Sequence, residues 1–344
     1  MNRRLPIALI VVVATCPFLL TAPVLAWNPP GHMIVALIAY DQLDDATKAK
    51  AIELLRAHPR FQDHFQHFMP KEIVKGSQAE QDEWCFAQAA TWPDLMREVK
   101  TVVTREDVTK YHRGAWHYID TPIYLNDDEQ RQLEHQVKQN LSREIPEDPD
   151  DPTMNVIQAE KVAAKTVGDT SADKGQRSVS LCWLLHLVGD SHQPLHSSAL
   201  FTSHRFRDGD RGGNLLAPDY AYKTFQGGYT LHSYWDDAIS TDDAYSTCRA
   251  LAYDLEKNKE LTAAGEKATS TLDVGDWVDE SNALCKQYVY TPEVKRQIAA
   301  REGHSHLGPL ELPPGYKADA ENVAERRATE AGYRLAKVLE KLLQ

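Results

Sequence analysis

Near the middle of the chain, the run His186-Leu187-Val188-Gly189-Asp190-Ser191-His192-Gln193-Pro194-Leu195-His196 places imidazoles and a carboxylate at short, regular spacing. His186 and Asp190 are four apart, so on a helix they share one face. Imidazole nitrogen and carboxylate oxygen are both zinc ligands. Pro194 should end or bend the helix and redirect His196. The surrounding residues are apolar, and polar groups buried there without partners would be costly. A bound metal supplies the partner; the competing reading is a hydrogen-bonded core histidine beside a buried aspartate. A second pair, His232 and Asp236 in Leu231-His232-Ser233-Tyr234-Trp235-Asp236, repeats the four-residue spacing. Alone it is weak, because solvated helices often carry it; beside the first group it makes a second site. Thr91-Trp92-Pro93-Asp94 adds a carboxylate, with Arg97 one turn later. Asp94 would equally serve as a helix cap. Trp116-His117-Tyr118-Ile119-Asp120 adds an imidazole between aromatic residues, where a packed structural histidine is the alternative. The chemistry such a set supports is the binding of zinc ions by clustered imidazole and carboxylate donors.

The elements that must hold these residues read as helical. From Met33 to His58 apolar residues recur at helical spacing, with Asp44 and Asp45 as caps at a break. Asp127 to Ser142 predicts a polar surface helix, and the stretch Pro146–Pro152 predicts a loop. Thr153 is expected to cap a helix running to about Val167. Gln176 to Val188 is apolar all round and predicts a buried central helix. Residues 201–230 read as a long functional loop rich in Gly, Asp and aromatics. Helices are expected at about 242–262, 276–290 and 292–301, and a last amphipathic one from Ala318 to Leu343. Runs of alternating β-branched residues are scarce. The expected class is all-α, in a single domain with long loops.

Arg3 and Arg4, the apolar stretch Leu5–Leu20 and the small residue ending Val24-Leu25-Ala26 read as a secretion signal. The stretch is short for a membrane span and is broken by Pro17 and Pro23. The expected organisation is a signal peptide over 1–26 and one domain over 27–344, secreted or periplasmic. Cleavage after Ala26 would make Trp27 the first residue of Trp27-Asn28-Pro29-Pro30-Gly31-His32. Its free α-amine and carbonyl oxygen would chelate a metal as a five-membered ring, with His32 close enough to join. Loss of Arg3 and Arg4 takes the formal charge from −12 to −14. That balance excludes a long basic surface for gripping phosphates. An anionic substrate would have to be drawn by local cations, and bound metal ions would serve. Cys85, Cys182, Cys248 and Cys285 follow the signal without a CxxC pair. An oxidising compartment permits disulfides, and two are expected, in a connectivity the sequence leaves open.

Taken together and in this order, the terminal Trp with His five residues on, WPD, WHYID, HLVGDSHQPLH, GGN and LHSYWD resemble the zinc-dependent single-strand nucleases of the S1/P1 type, whose helical fold is shared with zinc phospholipase C. The resemblance covers nearly all of 27–344. It implies three zinc ions: one held by Asp94, His117, His186 and Asp190, one by Trp27, His32 and the shared Asp190, one by His196, His232 and Asp236. It implies in-line attack by an activated water on single-stranded DNA or RNA, leaving 5′-phosphates, with 3′-nucleotides as a further substrate. Asp94 would orient the water and Arg97 would pair with the phosphate; the alternative for Arg97 is an ion pair with Glu98 or another neighbour. Tyr118 sits where the family stacks a base, and Asn214 in Gly212-Gly213-Asn214 would contact substrate or hold an ordinary turn. Two other functions compete: a phospholipase C-like esterase, which usually has Glu where this chain has Asp236, and a zinc-binding protein without catalysis. No stable protein partner is implied. His58, His64 and His67 fall at non-matching spacing, His192 is expected to point away from the cluster, and His112, His135, His204, His304 and His306 read as surface residues.

Overall fold

A computed structural model describes residues 27–219, 229–304 and 306–344. The expected signal peptide and part of the 201–230 loop lie outside the described residues. Helices make up the body, as the apolar spacing predicts. The first spans Pro29–Gln42; Asn28 caps it by accepting from the Gly31 amide at 3.1 Å, and two prolines open it where a missing N–H costs nothing. The expected break at Asp44 and Asp45 is real: Asp44 caps a second helix, Asp45–Arg56.

The central helix spans Lys174–Asp190, capped by Asp173. Every residue from Leu181 to Asp190 on it is buried. It packs against the helices Val156–Gly168 and Asp45–Arg56, while the first helix lies along the C-terminal helix, Tyr316–Leu342. One large apolar cluster joins these elements through Leu184, Leu185, Leu187 and Val188 of the central helix. A second cluster, around Leu195, Trp235 and Tyr316, lies under the segments that follow the central helix. No described helix is long and apolar enough to cross a membrane.

Besides the helix expected at about 242–262, which Asn258 divides into Tyr245–Lys257 and Lys259–Ala268, four details differ from the sequence expectations. First, Thr121–Tyr124 and Ser198–Phe201 pair as a short parallel sheet, with Thr121 opposite Ser198. It is small, but it joins the stretches just after His117 and His196, and the Ile119 amide donates to the His196 carbonyl at 2.8 Å. Second, the polar helix beginning at Asp127 stops at Leu133 rather than Ser142. Leu133 is its only buried residue, so further turns would gain no packing. Third, Asn155 rather than Thr153 caps the following helix, in a reciprocal capping box with Gln158.

The fourth is a correction. Cys85, Cys182, Cys248 and Cys285 are all free and buried, so the two expected disulfides are absent. The thiols are set among apolar side chains of three separate clusters and act as small hydrophobic residues. Burial pushes Cys85 and Cys248 up to about 12, which keeps them as inert thiols.

Candidate metal centre

The C-terminal end of the central helix converges with four other segments. Trp92–Leu95 brings Asp94, the turn Gly114–His117 brings His117, the first helix brings His32, and Leu231–Asp236 brings His232 and Asp236. Three groups of metal-ligating side chains result: His32 with His186 and Asp190, Asp94 with His117 and His186, and His196 with His232 and Asp236. All eight side chains expected as ligands are therefore gathered. The ninth expected ligand, Trp27, adjoins them: its fully buried indole donates to the Gly189 carbonyl at 2.9 Å.

Asp190 is the hub. One oxygen lies 3.1 Å from His117 Nδ1 and 3.2 Å from His186 Nε2; the other lies 3.5 Å from His32 Nε2 and 3.6 Å from His196 Nδ1. His186 Nε2 also stands 3.6 Å from Asp94 Oδ1. In the third group His232 Nε2 lies 3.1 Å from His196 Nε2 and 3.5 Å from Asp236 Oδ2. Gly189 makes this convergence possible. A Cβ there would sit 2.8 Å from His32 Nδ1, so any larger residue would push that imidazole away.

Backbone carbonyls orient the rings. His186 Nδ1 donates to Ala90 O at 2.7 Å, His196 Nδ1 to His117 O at 2.6 Å, and His232 Nδ1 to Gly212 O at 2.6 Å. Each bond fixes the proton on Nδ1 and turns a lone pair at Nε2 toward the centre, as metal-binding histidines require. The Gly212-Gly213-Asn214 motif thereby gains a structural explanation. Gly212 has φ +57, and a Cβ on it would lie 2.5 Å from the Leu195 carbonyl. Asn214 holds the same turn by donating to Arg211 O at 2.8 Å, and Arg211 takes a left-handed φ of 59.

The buried donor atoms at this centre suit a bound cation. Among the described residues, His32 Nδ1 and Nε2, His117 Nε2, Asp190 Oδ1 and Asp236 Oδ2 are buried with no hydrogen-bond partner. Leaving that many polar atoms dry and unsatisfied is expensive. Burial raises Asp190 to about 6 and pushes Asp236 well above the usual carboxylate range. Burial likewise holds His32 and His117 well below the usual imidazole range, in the neutral form that ligates metal. Borderline-soft nitrogen and hard oxygen donors at this spacing fit zinc.

Other expected residues fall as follows. Arg97 pairs with Asp94 through Nε at 2.7 Å, not with Glu98, whose partner is Lys100. Arg97 Nη2 is buried with no hydrogen-bond partner among the described residues. Tyr118 is half-buried directly after His117. His192 turns away, with Nε2 against Arg334 Nη1 at 2.9 Å. His64 is fully buried and holds Val102 O at 3.0 Å, and His112 is half-buried rather than on open surface.

Sequence reasoning gave Gln193 no role, although it lies inside the main motif. The fully buried amide donates to Asp236 Oδ1 at 2.6 Å, which leaves Oδ2 turned toward His232. A polar residue before Pro194 in an otherwise buried run was the available signal. We expect Gln193→Leu to weaken metal binding at the third group by about 10- to 100-fold. Competition of the variant and the unaltered protein with a zinc chelator measures this; equal metal retention would rule the orienting role out.

A helical frame with clustered His and Asp at its buried centre defines an all-helical protein built around a candidate metal centre. Comparison with known proteins gives the particular family. The family model described as S1/P1 nuclease matches residues 27–344. Endonuclease 4 of Arabidopsis thaliana is 26% identical over 92% of this chain and 89% of its own length. Nuclease S1 of Aspergillus oryzae is 27% identical over 46% of this chain and 52% of its own. Nuclease P1 of Penicillium citrinum is 26% identical over 49% of this chain and 60% of its own. The chain belongs to the S1/P1 nuclease family and is a nuclease, a hydrolase of phosphodiester bonds.

Proposed function

We propose that residues 27–344 form one secreted or periplasmic nuclease domain that cleaves single-stranded DNA and RNA with three zinc ions, leaving 5′-phosphates. The observation that carries this reading is the set of buried, unsatisfied donor atoms around Asp190, with His32 unsatisfied at both ring nitrogens. Asp94, His117, His186 and Asp190 would hold one ion. Trp27, His32 and Asp190 would hold the second; His196, His232 and Asp236 would hold the third. Zinc bound there supplies Lewis acidity, acidifying water and polarising phosphoryl oxygens.

The chain's own residues supply the rest. Asp190 faces both of the first two groups and sets their separation. Asp94 orients the attacking water and takes up its proton. Arg97, fixed by Asp94 through Nε, keeps Nη2 for a phosphate oxygen, where a guanidinium matches the geometry. Tyr118 offers a ring for a base next to the cleaved bond. A splayed strand can bring its phosphate to a recessed centre, which a stiff duplex resists. Removal of the first 26 residues would free the α-amine of Trp27, whose indole is anchored on the Gly189 carbonyl.

Metal analysis of the mature protein with N-terminal sequencing, followed by turnover assays, tests this reading. Three zincs per chain, a Trp27 start, cleavage of single-stranded DNA and loss of cleavage on chelation are expected. Turnover of phosphatidylcholine in place of nucleic acid, or zinc binding without turnover of either, would overturn it.

A further inference from the structure

A second concavity, of about 720 Å³, opens beside the Gly114–His117 turn. Trp116 and Trp183, packed together at 4.9 Å between ring centroids and both buried, back it, with Val179 beside them. Trp183 also touches His117 at 5.3 Å, so the same indole borders this cavity and the metal centre. Two cationic side chains, Lys110 and Arg113, line one wall.

Arg113 is held in place but not used up. Its guanidinium lies over the Trp116 ring at 5.6 Å, and Nη1 donates to the His112 carbonyl at 3.0 Å. Nε is buried with no hydrogen-bond partner among the described residues. The nearest carboxylate, Asp150, stands 4.0 Å from Nη2 and is 81% exposed, a pair of little strength that a phosphate would displace. Asp173, on the opposite wall, is committed to the helix start, accepting from the Gln176 amide at 3.1 Å. A positioned guanidinium loses little freedom when it binds an anion.

The cavity is also linked to the metal centre by charge. His112 is lowered in pKa by burial first and then by the cations of Arg97 and Arg113, so it stands within reach of both. Arg97, paired with Asp94, and Arg113, at the cavity, thus both act on a half-buried imidazole whose charged form burial disfavours.

We propose that this cavity is a distal subsite for the substrate strand, taking one further nucleotide of single-stranded nucleic acid with its phosphate at Arg113 and Lys110 and its base in the cavity beside Val179. The inference rests on the nuclease reading above and adds where the strand runs beyond the cleaved bond. A base in a stacked duplex cannot enter such a cavity, so the subsite adds to single-strand preference.

The test is steady-state kinetics of the zinc-loaded enzyme on a thymidine dinucleotide and a thymidine decanucleotide. Counted per cleavable bond, so that the greater number of bonds in the longer strand does not itself register, the unaltered enzyme should gain about tenfold in kcat/KM with length, carried by KM. Lys110→Met combined with Arg113→Met should abolish that gain at unchanged zinc content, and Arg113→Lys should keep part of it. Val179→Trp, which fills the cavity without touching a charge, should abolish it too and serves if the double variant fails to fold. A full length dependence in folded variants overturns the subsite. So does an unaltered enzyme that cleaves both substrates with no length gain, and that result leaves the nuclease reading standing. Failure of the zinc-loaded enzyme to cleave either oligonucleotide overturns both.

Discussion

Asp190→Asn is expected to lower kcat/KM by on the order of a thousandfold, about 4 kcal/mol of transition-state stabilisation, and to reduce bound metal. Among the described residues no other side chain faces as many ligating groups: His32, His117, His186 and His196 all lie within 3.6 Å of its two oxygens. The amide keeps the shape but loses the charge, and its NH2 end would point at imidazole lone pairs or cations. Both neighbouring groups should be weakened together, whereas loss of Gln193 should affect only the third. Metal analysis of the purified variant, with turnover on single-stranded DNA, measures both effects. A variant with full metal and full turnover would show that Asp190 is a buried structural carboxylate and no ligand.

Arg334→Met should be the most damaging substitution away from the centre, lowering stability by about 3–5 kcal/mol. Arg334 is 1% exposed. Its two terminal nitrogens bind both oxygens of Glu280, at 2.7 and 2.8 Å, and Nε donates to Ala268 O at 3.0 Å. Arg327 shares the same Glu280 at 2.7 Å and also binds Glu330 at 2.6 Å. Removing Arg334 leaves part of that network unbalanced in a dry interior. Because Glu280 is partly exposed, water recovers some of the loss and the lower end of the range is expected. The shift in urea midpoint of the metal-loaded protein measures it, with the slope held fixed. A change under about 1 kcal/mol would mean that Met packing compensates for the lost ion pairs. Since His192 Nε2 meets Arg334, this network braces the chain two residues beyond Asp190 and should also slightly loosen the metal groups when cut.

Much of this was legible before any coordinates. The four-residue spacing of His186 with Asp190, and of His232 with Asp236, survives as shared helix faces because helical geometry enforces it. The apolar run around Leu184 could only be a buried helix, and it is. What stayed hidden depended on contacts between distant segments. Gln193 gains meaning only once Leu231–Asp236 is folded against it. The parallel strands Thr121–Tyr124 and Ser198–Phe201 are four residues each, too short to show alternation. The cysteines misled because thiol number and compartment bear on whether disulfides are permitted, not on which side chains meet. Asp127 to Ser142 misled because helix-favouring polar residues do not by themselves keep a helix going past its last packing contact.

The cysteines have a practical meaning. With four separate thiols in the interior and no crosslink among them, the polypeptide carries no covalent memory of its native topology. Its refolding after denaturation should therefore proceed equally well under strong reductant, with supply of divalent cation, rather than thiol oxidation, deciding the yield.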